Sequence, residues 1–157
     1  MLTPDTLKKI DCEISKYPVE QRQSAVMASL AIAQTEKGWL SSETIEFVAN
    51  YLQMAPIAAF EVASFYNMYD LHAIGKYKLT VCTNLPCMLS GGVDAGNYLK
   101  DKLGIQFNET TSDGKITLKE GECMGACGDS PVMLVNNHRM CSHMLPEQID
   151  KLLAELK

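Results

Sequence analysis

No basic cluster, no long apolar run and only three histidines occur in this chain, and each absence closes off a class of function. Fourteen Lys and Arg stand against nineteen Asp and Glu, a net charge of −5. With no basic run and no aromatics interleaved with cations, nucleic acid is not an expected partner. No apolar stretch approaches the ~18 residues that a membrane helix requires, so no direct membrane insertion is expected. Met1-Leu2-Thr3-Pro4-Asp5 has neither the basic nor the apolar character of a targeting segment. This reads as a soluble chain starting at its mature end, bacterial rather than an organellar precursor. His72, His138 and His143 are single and scattered, and no His-x-x-x-His helix, Ser-His-Asp set or P-loop is present. Gly91-Gly92-Val93-Asp94-Ala95-Gly96 lacks the G-x-G-x-x-G spacing of a dinucleotide fingerprint and reads as a helix entry. The nine methionines show no thioether cluster spacing, so they serve packing rather than copper.

What is present is cysteine in a pattern. Of six, four form two tight pairs, Cys82 with Cys87 and Cys123 with Cys127, with thirty-five residues between the pairs. Such a quartet supplies the ligands of one [2Fe-2S] cluster, in which each tetrahedral iron takes two bridging sulfides and two protein thiolates. Plant-type ferredoxins space their cysteines C-x4-C-x2-C and the bacterial four-iron run is C-x2-C-x2-C-x3-C-P; neither occurs here. A Rieske centre needs two histidines, and all three lie outside the cysteine loops. Four cysteines in pairs also suit structural zinc, and a disulfide pair is a further reading of the same residues. Cysteines in a reducing compartment read as ligands or thiols rather than disulfides. Cys12 and Cys141 have no cysteine neighbour at ligand spacing and read as bystander thiols.

The flanking residues favour a cluster. Gly125, Ala126 and Gly128 let backbone N–H groups approach sulfur closely, and Pro86 stiffens the chain before Cys87. Ser90-Gly91-Gly92 opens a helix whose free N–H groups and partial positive charge suit an anionic group.

These residues resemble a known family, the small [2Fe-2S] subunit of the NADH-dehydrogenase module of respiratory complex I, a thioredoxin-like ferredoxin. The resemblance rests on Val81-Cys82-Thr83-Asn84-Leu85-Pro86-Cys87, on Glu122-Cys123-Met124-Gly125-Ala126-Cys127 and on Val62-Ala63-Ser64-Phe65-Tyr66-Asn67-Met68-Tyr69, and it covers nearly the whole chain. It implies an electron-transfer subunit of NADH-quinone oxidoreductase that is part of an enzyme without NADH-binding or catalytic side chains of its own. Cys82, Cys87, Cys123 and Cys127 would hold one [2Fe-2S] cluster. FMN and NADH would sit on a partner flavin-bearing subunit, alongside other complex I subunits. The assembly would lie on the cytoplasmic side of the bacterial inner membrane. NAD-linked formate dehydrogenases and hydrogenases have subunits with the same ligand pattern, and a zinc-stabilised interaction module is the non-redox alternative.

Periodicity divides the chain near Gly75 and predicts an α+β fold. A helical bundle is expected over 1–74 and a thioredoxin-like α/β ferredoxin domain over 75–157. In the first part Leu7, Ile10 and Ile14, then Val26, Leu30 and Ala33, then Ile45, Val48, Ala49 and Leu52 each mark one helix face. Pro18 should start the second helix and Gly38 stop it, Ser41 or Ser42 should cap the third, and Pro56 should open a fourth that runs towards Phe65. Phe65, Tyr66 and Tyr69 read as packing at the hinge between the halves. In the second part the spacing predicts a strand over 77–82, a helix over 92–103 closed by Gly104 and a strand over 115–118. A hairpin of 131–135 with 139–142 and a final helix from Pro146 complete it.

Overall fold

The computed structural model describes residues 1–156, which form two compact units, Met1–Ala73 and a second beginning at Ile74. The first is all helix: α1 (Pro4–Ile14), α2 (Val26–Lys37), α3 (Ser42–Tyr51) and α4 (Pro56–Phe65). Thr3 caps α1, its Oγ1 accepting from the Thr6 N–H, and Ser41 caps α3 in the same way through the Thr44 N–H. Gly38, at φ 83°, ends α2 in a conformation that a residue with a Cβ resists. The stripes meet as expected, with Ile10, Leu30, Ala33, Ile45, Val48, Ala49 and Leu52 buried in one core. Each large side chain so buried contributes about 1.5–3 kcal/mol.

Two expectations for this unit are corrected. Pro18 opens a seven-residue 3-10 stretch, Val19–Ala25, kinked at Gln21, and the α-helix begins only at Val26. The stretch Val19-Glu20-Gln21-Arg22-Gln23-Ser24 offers no apolar stripe to hold a helix turn against the core. Of the three aromatics, Tyr69 alone is buried in this unit's core, where its hydroxyl donates to the Met27 carbonyl at 2.8 Å and its ring meets that of Tyr66 edge-on. Phe65 is 80% exposed, and Tyr66 meets it edge-on.

The second unit is a four-stranded mixed sheet with helices. Strands β1 (Tyr77–Cys82) and β2 (Ile116–Gly121) are parallel, and β3 (Met133–Val135) and β4 (Arg139–Cys141) complete the order β2-β1-β3-β4. The crossover between β1 and β2 carries α5 (Leu85–Leu89) and α6 (Gly92–Leu103), and α7 (Pro146–Glu155) follows β4. Leu79, Val81, Leu118, Met133 and Val135 pack with Ala95 and Leu99 of α6 and with Ile149 and Leu152 of α7. Gly104, in the left-handed region, closes α6. Asn136 and Asn137, both at positive φ, make the tight turn of the hairpin. That hairpin is shorter than the spacing suggests: Pro131 has no N–H to give to a ladder and lies before the first pair, Met133 with Cys141. The short helix α5, which carries Cys87, has no periodic signal of its own, since five residues are too few to show one.

Candidate metal centre

Strand register brings the two cysteine loops together. Cys82 is the last residue of β1 and pairs in the parallel ladder with Gly121, the last of β2 and two residues before Cys123. Loops that leave the C-terminal ends of neighbouring parallel strands emerge at the same edge, where sheets of this kind place their sites. Three further contacts draw the loops in. The Thr83 N–H donates to the Gly121 carbonyl at 3.1 Å and the Cys82 N–H to the Val132 carbonyl at 3.1 Å. Cys82, Cys87 and Val132 form a small buried cluster, with Met124 and Ala126 of the second loop packed on it.

The pairs differ in environment. Cys82 and Cys87 are buried, 2% and 1% exposed, whereas Cys123 and Cys127 face solvent. All six cysteines are free thiols. The Cys123 and Cys127 sulfurs lie 3.9 Å apart, which matches the ~3.8 Å between two thiolates on one tetrahedral metal with bonds of about 2.3 Å. Gly125, at φ 73°, turns its N–H to the Cys123 sulfur at 3.4 Å, as expected for a residue chosen for backbone approach. Burial pushes the Cys82 thiol up to about 11, against N–H groups of Asn84 and Met124 that pull it down; as a thiol it donates to the Glu122 carbonyl at 2.6 Å. The Cys127 thiol is raised as well, by its hydrogen bond to Cys123 and by the charge of Cys123, with Cys87 adding to the effect. Sulfurs that raise one another's pKa are packed closely enough to repel as thiolates, and a cation between them removes that penalty. Among the described residues no three His, Cys, Asp or Glu side chains gather on one point as for a single metal ion; the sulfurs are arranged by pairs.

Helix α6 closes the site from one side. A Cβ on Gly92, its first residue, would lie 2.6 Å from the Cys82 carbonyl oxygen and 2.9 Å from that of Cys87, so the helix start is seated directly on the first cysteine loop. Its N-terminal dipole favours negative charge there. The donor set, the pairing, the N–H groups and this helix start fit a [2Fe-2S] cluster.

A family model of thioredoxin-like [2Fe-2S] ferredoxins matches residues 10–157. The chain belongs to that family. Within it, this ferredoxin is 43% identical over 143 residues to an NADH-quinone oxidoreductase subunit of Rickettsia felis, covering 90% of this chain and 85% of the relative. It is 46% identical over 125 residues to the protein of the same name from Rickettsia conorii, covering 79% and 75%. Among solved structures, an NAD+-reducing [NiFe]-hydrogenase in the air-oxidised state superposes with a TM-score of 0.71 at 20% identity, over 83% of this chain and 22% of that one. This last likeness concerns the fold, and the ferredoxin spans about a fifth of that hydrogenase chain.

Beyond the four cysteines, the site holds residues that spacing did not single out. Thr83 Oγ1 donates to Glu120 Oε1 at 2.8 Å, Asn84 Nδ2 to Glu122 Oε2 at 3.0 Å, and Ser130 Oγ to Ser90 Oγ at 2.9 Å. The Glu-x-Glu before Cys123 was the available signal, but exposed carboxylates are ordinary until their partners are seen. Cys12 lies exposed on α1, and Cys141 is buried in the sheet core with its thiol raised by burial. The His143 N–H bonds the Asp129 carbonyl, on the flank of the second loop.

Proposed function

We propose that the chain is the electron-transfer subunit of an NADH-quinone oxidoreductase. Cys82 and Cys87 hold one iron, and Cys123 and Cys127 the other, of a single [2Fe-2S] cluster. The observation that carries this is the pair of cysteine loops at the C-terminal ends of two parallel strands in register, with the exposed sulfurs 3.9 Å apart. The cluster, when bound, supplies a one-electron couple. The chain's own residues set its surroundings: the Cys82–Cys87 side lies in an apolar nest, and the Cys123–Cys127 side faces outward, open to an electron donor or acceptor. The donor is the FMN of a partner subunit that binds and oxidises NADH. That partner and other subunits of the complex hold the chain on the cytoplasmic side of the membrane. Among the described residues no helix is long and apolar enough to cross a membrane.

Anaerobic purification followed by iron and sulfide analysis and EPR of the reduced chain tests the reading. Two irons, two sulfides and one S = 1/2 signal per chain are expected. Cys82→Ala, Cys87→Ala, Cys123→Ala and Cys127→Ala should each lose the cluster, while Cys12→Ala and Cys141→Ala keep it, at a stability cost of about 0.5–3 kcal/mol at most. A colourless chain holding zinc without iron or sulfide refutes the redox role. Co-purification with a formate dehydrogenase or hydrogenase in place of a quinone-reducing complex would reassign the partner and leave the cluster intact.

A further inference from the structure

The two segments around the cysteine loops, residues 82–94 and 120–138, contain Asp94, Glu120, Glu122 and Asp129 and neither Lys nor Arg. Two of these carboxylates are fixed in place. Glu120, at the end of β2, accepts from Thr83, and Glu122, next to Cys123, accepts from Asn84. Each bond ties a residue just after Cys82 to a residue just before Cys123, so the carboxylates bridge the loops as well as charging them. Lys119, the nearest base in sequence, precedes Glu120 on β2, and strand alternation turns it to the other face of the sheet.

We propose that Glu120 and Glu122 are positioning residues for the cluster: they clasp the two cysteine loops together and hold two fixed negative charges beside its site, which lowers its reduction potential. The inference rests on the ligand assignment above. Accepting one electron adds a negative charge to a group already anionic through its four thiolates, so a neighbouring carboxylate opposes reduction. In water-like surroundings, two unit charges about 7 Å apart alter an equilibrium roughly threefold. Two carboxylates together then alter it roughly tenfold, which for a one-electron couple is about 59 mV. Salt weakens such an effect because these side chains are exposed.

The test uses the full chain with its cluster, iron and sulfide analysis, and EPR-monitored redox titration at low and high salt. Glu120→Gln and Glu122→Gln keep an oxygen acceptor for Thr83 and Asn84 while removing the charge. Asp101→Asn is the control, an exposed α6 residue nine positions beyond Gly92 and so about 14 Å farther along the helix. Each Gln variant should retain a full cluster and raise the reduced-to-oxidised ratio at fixed potential roughly threefold, the double variant roughly tenfold. The differences should shrink in high salt, and Asp101→Asn should shift little. Gln variants with a full cluster and a potential no higher than that of Asp101→Asn overturn the proposal alone. So does a shift that salt leaves unchanged, or loss of the cluster from these isosteric variants. Absence of a two-iron cluster from the unaltered chain overturns the ligand assignment and this proposal with it.

Discussion

Gly92→Ala sets two energies of opposite sign against each other at one residue. Alanine is the better helix former by up to ~1 kcal/mol, and Gly92 is the first residue of α6, so propensity by itself favours the change. Against it stands the space: the added methyl would meet the Cys82 carbonyl oxygen at 2.6 Å, the Cys87 oxygen at 2.9 Å and the Cys87 carbonyl carbon at 3.0 Å. All three are backbone atoms, so no side-chain rotation relieves the contact, and either α6 or the first cysteine loop must move. Overpacking of this kind costs about 1–3 kcal/mol, which leaves a net loss of up to about 2 kcal/mol once the full propensity gain is set against it. Gly96 is the internal comparison. Its added Cβ would meet only the Phe107 ring, at 3.0 Å, and a ring at the end of a side chain can give way. Thermal unfolding of both variants, read beside iron content, measures the difference. Gly92→Ala should lower the midpoint of the second unit by about 4–8 °C per kcal/mol lost and reduce cluster occupancy, and Gly96→Ala should do less of both. A Gly92→Ala chain as stable as the parent, with full iron content, would refute the close seating of α6 on the cysteine loop.

Two further outcomes concern the helical unit. Ile10→Ala removes a fully buried side chain from its core and should cost about 2–5 kcal/mol, read by chemical denaturation. Glu36 accepts from the Thr3 N–H and hydroxyl, which moors the start of α1 to α2; hydrogen bonds from the Thr6 side chain and the Thr3 backbone hold its carboxyl at about 2, below the usual 4.5. A depressed carboxyl stabilises the folded state above its unfolded value and ceases to do so as pH falls through the folded one. The mooring should therefore hold above about pH 4.5 and be lost as pH falls towards 2; in Glu36→Gln, amide exchange at the start of α1 should lose this pH dependence. An NMR titration placing the Glu36 carboxyl near 4.5 contradicts the assignment.

Much of this protein is local chemistry and so was open to reading from the residues. The helix caps at Thr3 and Ser41, the stop at Gly38 and the asparagine turn of the hairpin act through neighbours a few positions away, and apolar stripes such as Ile45, Val48 and Ala49 report the face that must be buried. The cysteine pairs belong to the same class, since Cys82 with Cys87 and Cys123 with Cys127 each lie within one short loop that holds them near each other. What failed was of two kinds, a local segment without an apolar stripe and features that depend on distant partners. Val19–Ala25 winds as a 3-10 stretch, and Phe65 stands exposed although its apolar character suggested packing. No local pattern carries the information that Cys82 lies in register with Gly121, because parallel pairing joins strands more than thirty residues apart through a crossover that leaves the register free. Nor could spacing reveal that Glu120 and Glu122 reach Thr83 and Asn84, or that one cysteine pair is buried and the other exposed. The residues by themselves determined which sulfurs come in pairs and what kind of group they suit, because ligand spacing is a property of a short loop. The tertiary structure alone decided that the two cysteine loops leave neighbouring strands at the same edge, and with which charges and exposure, because those follow from strand register and from the packing of α6 against the sheet.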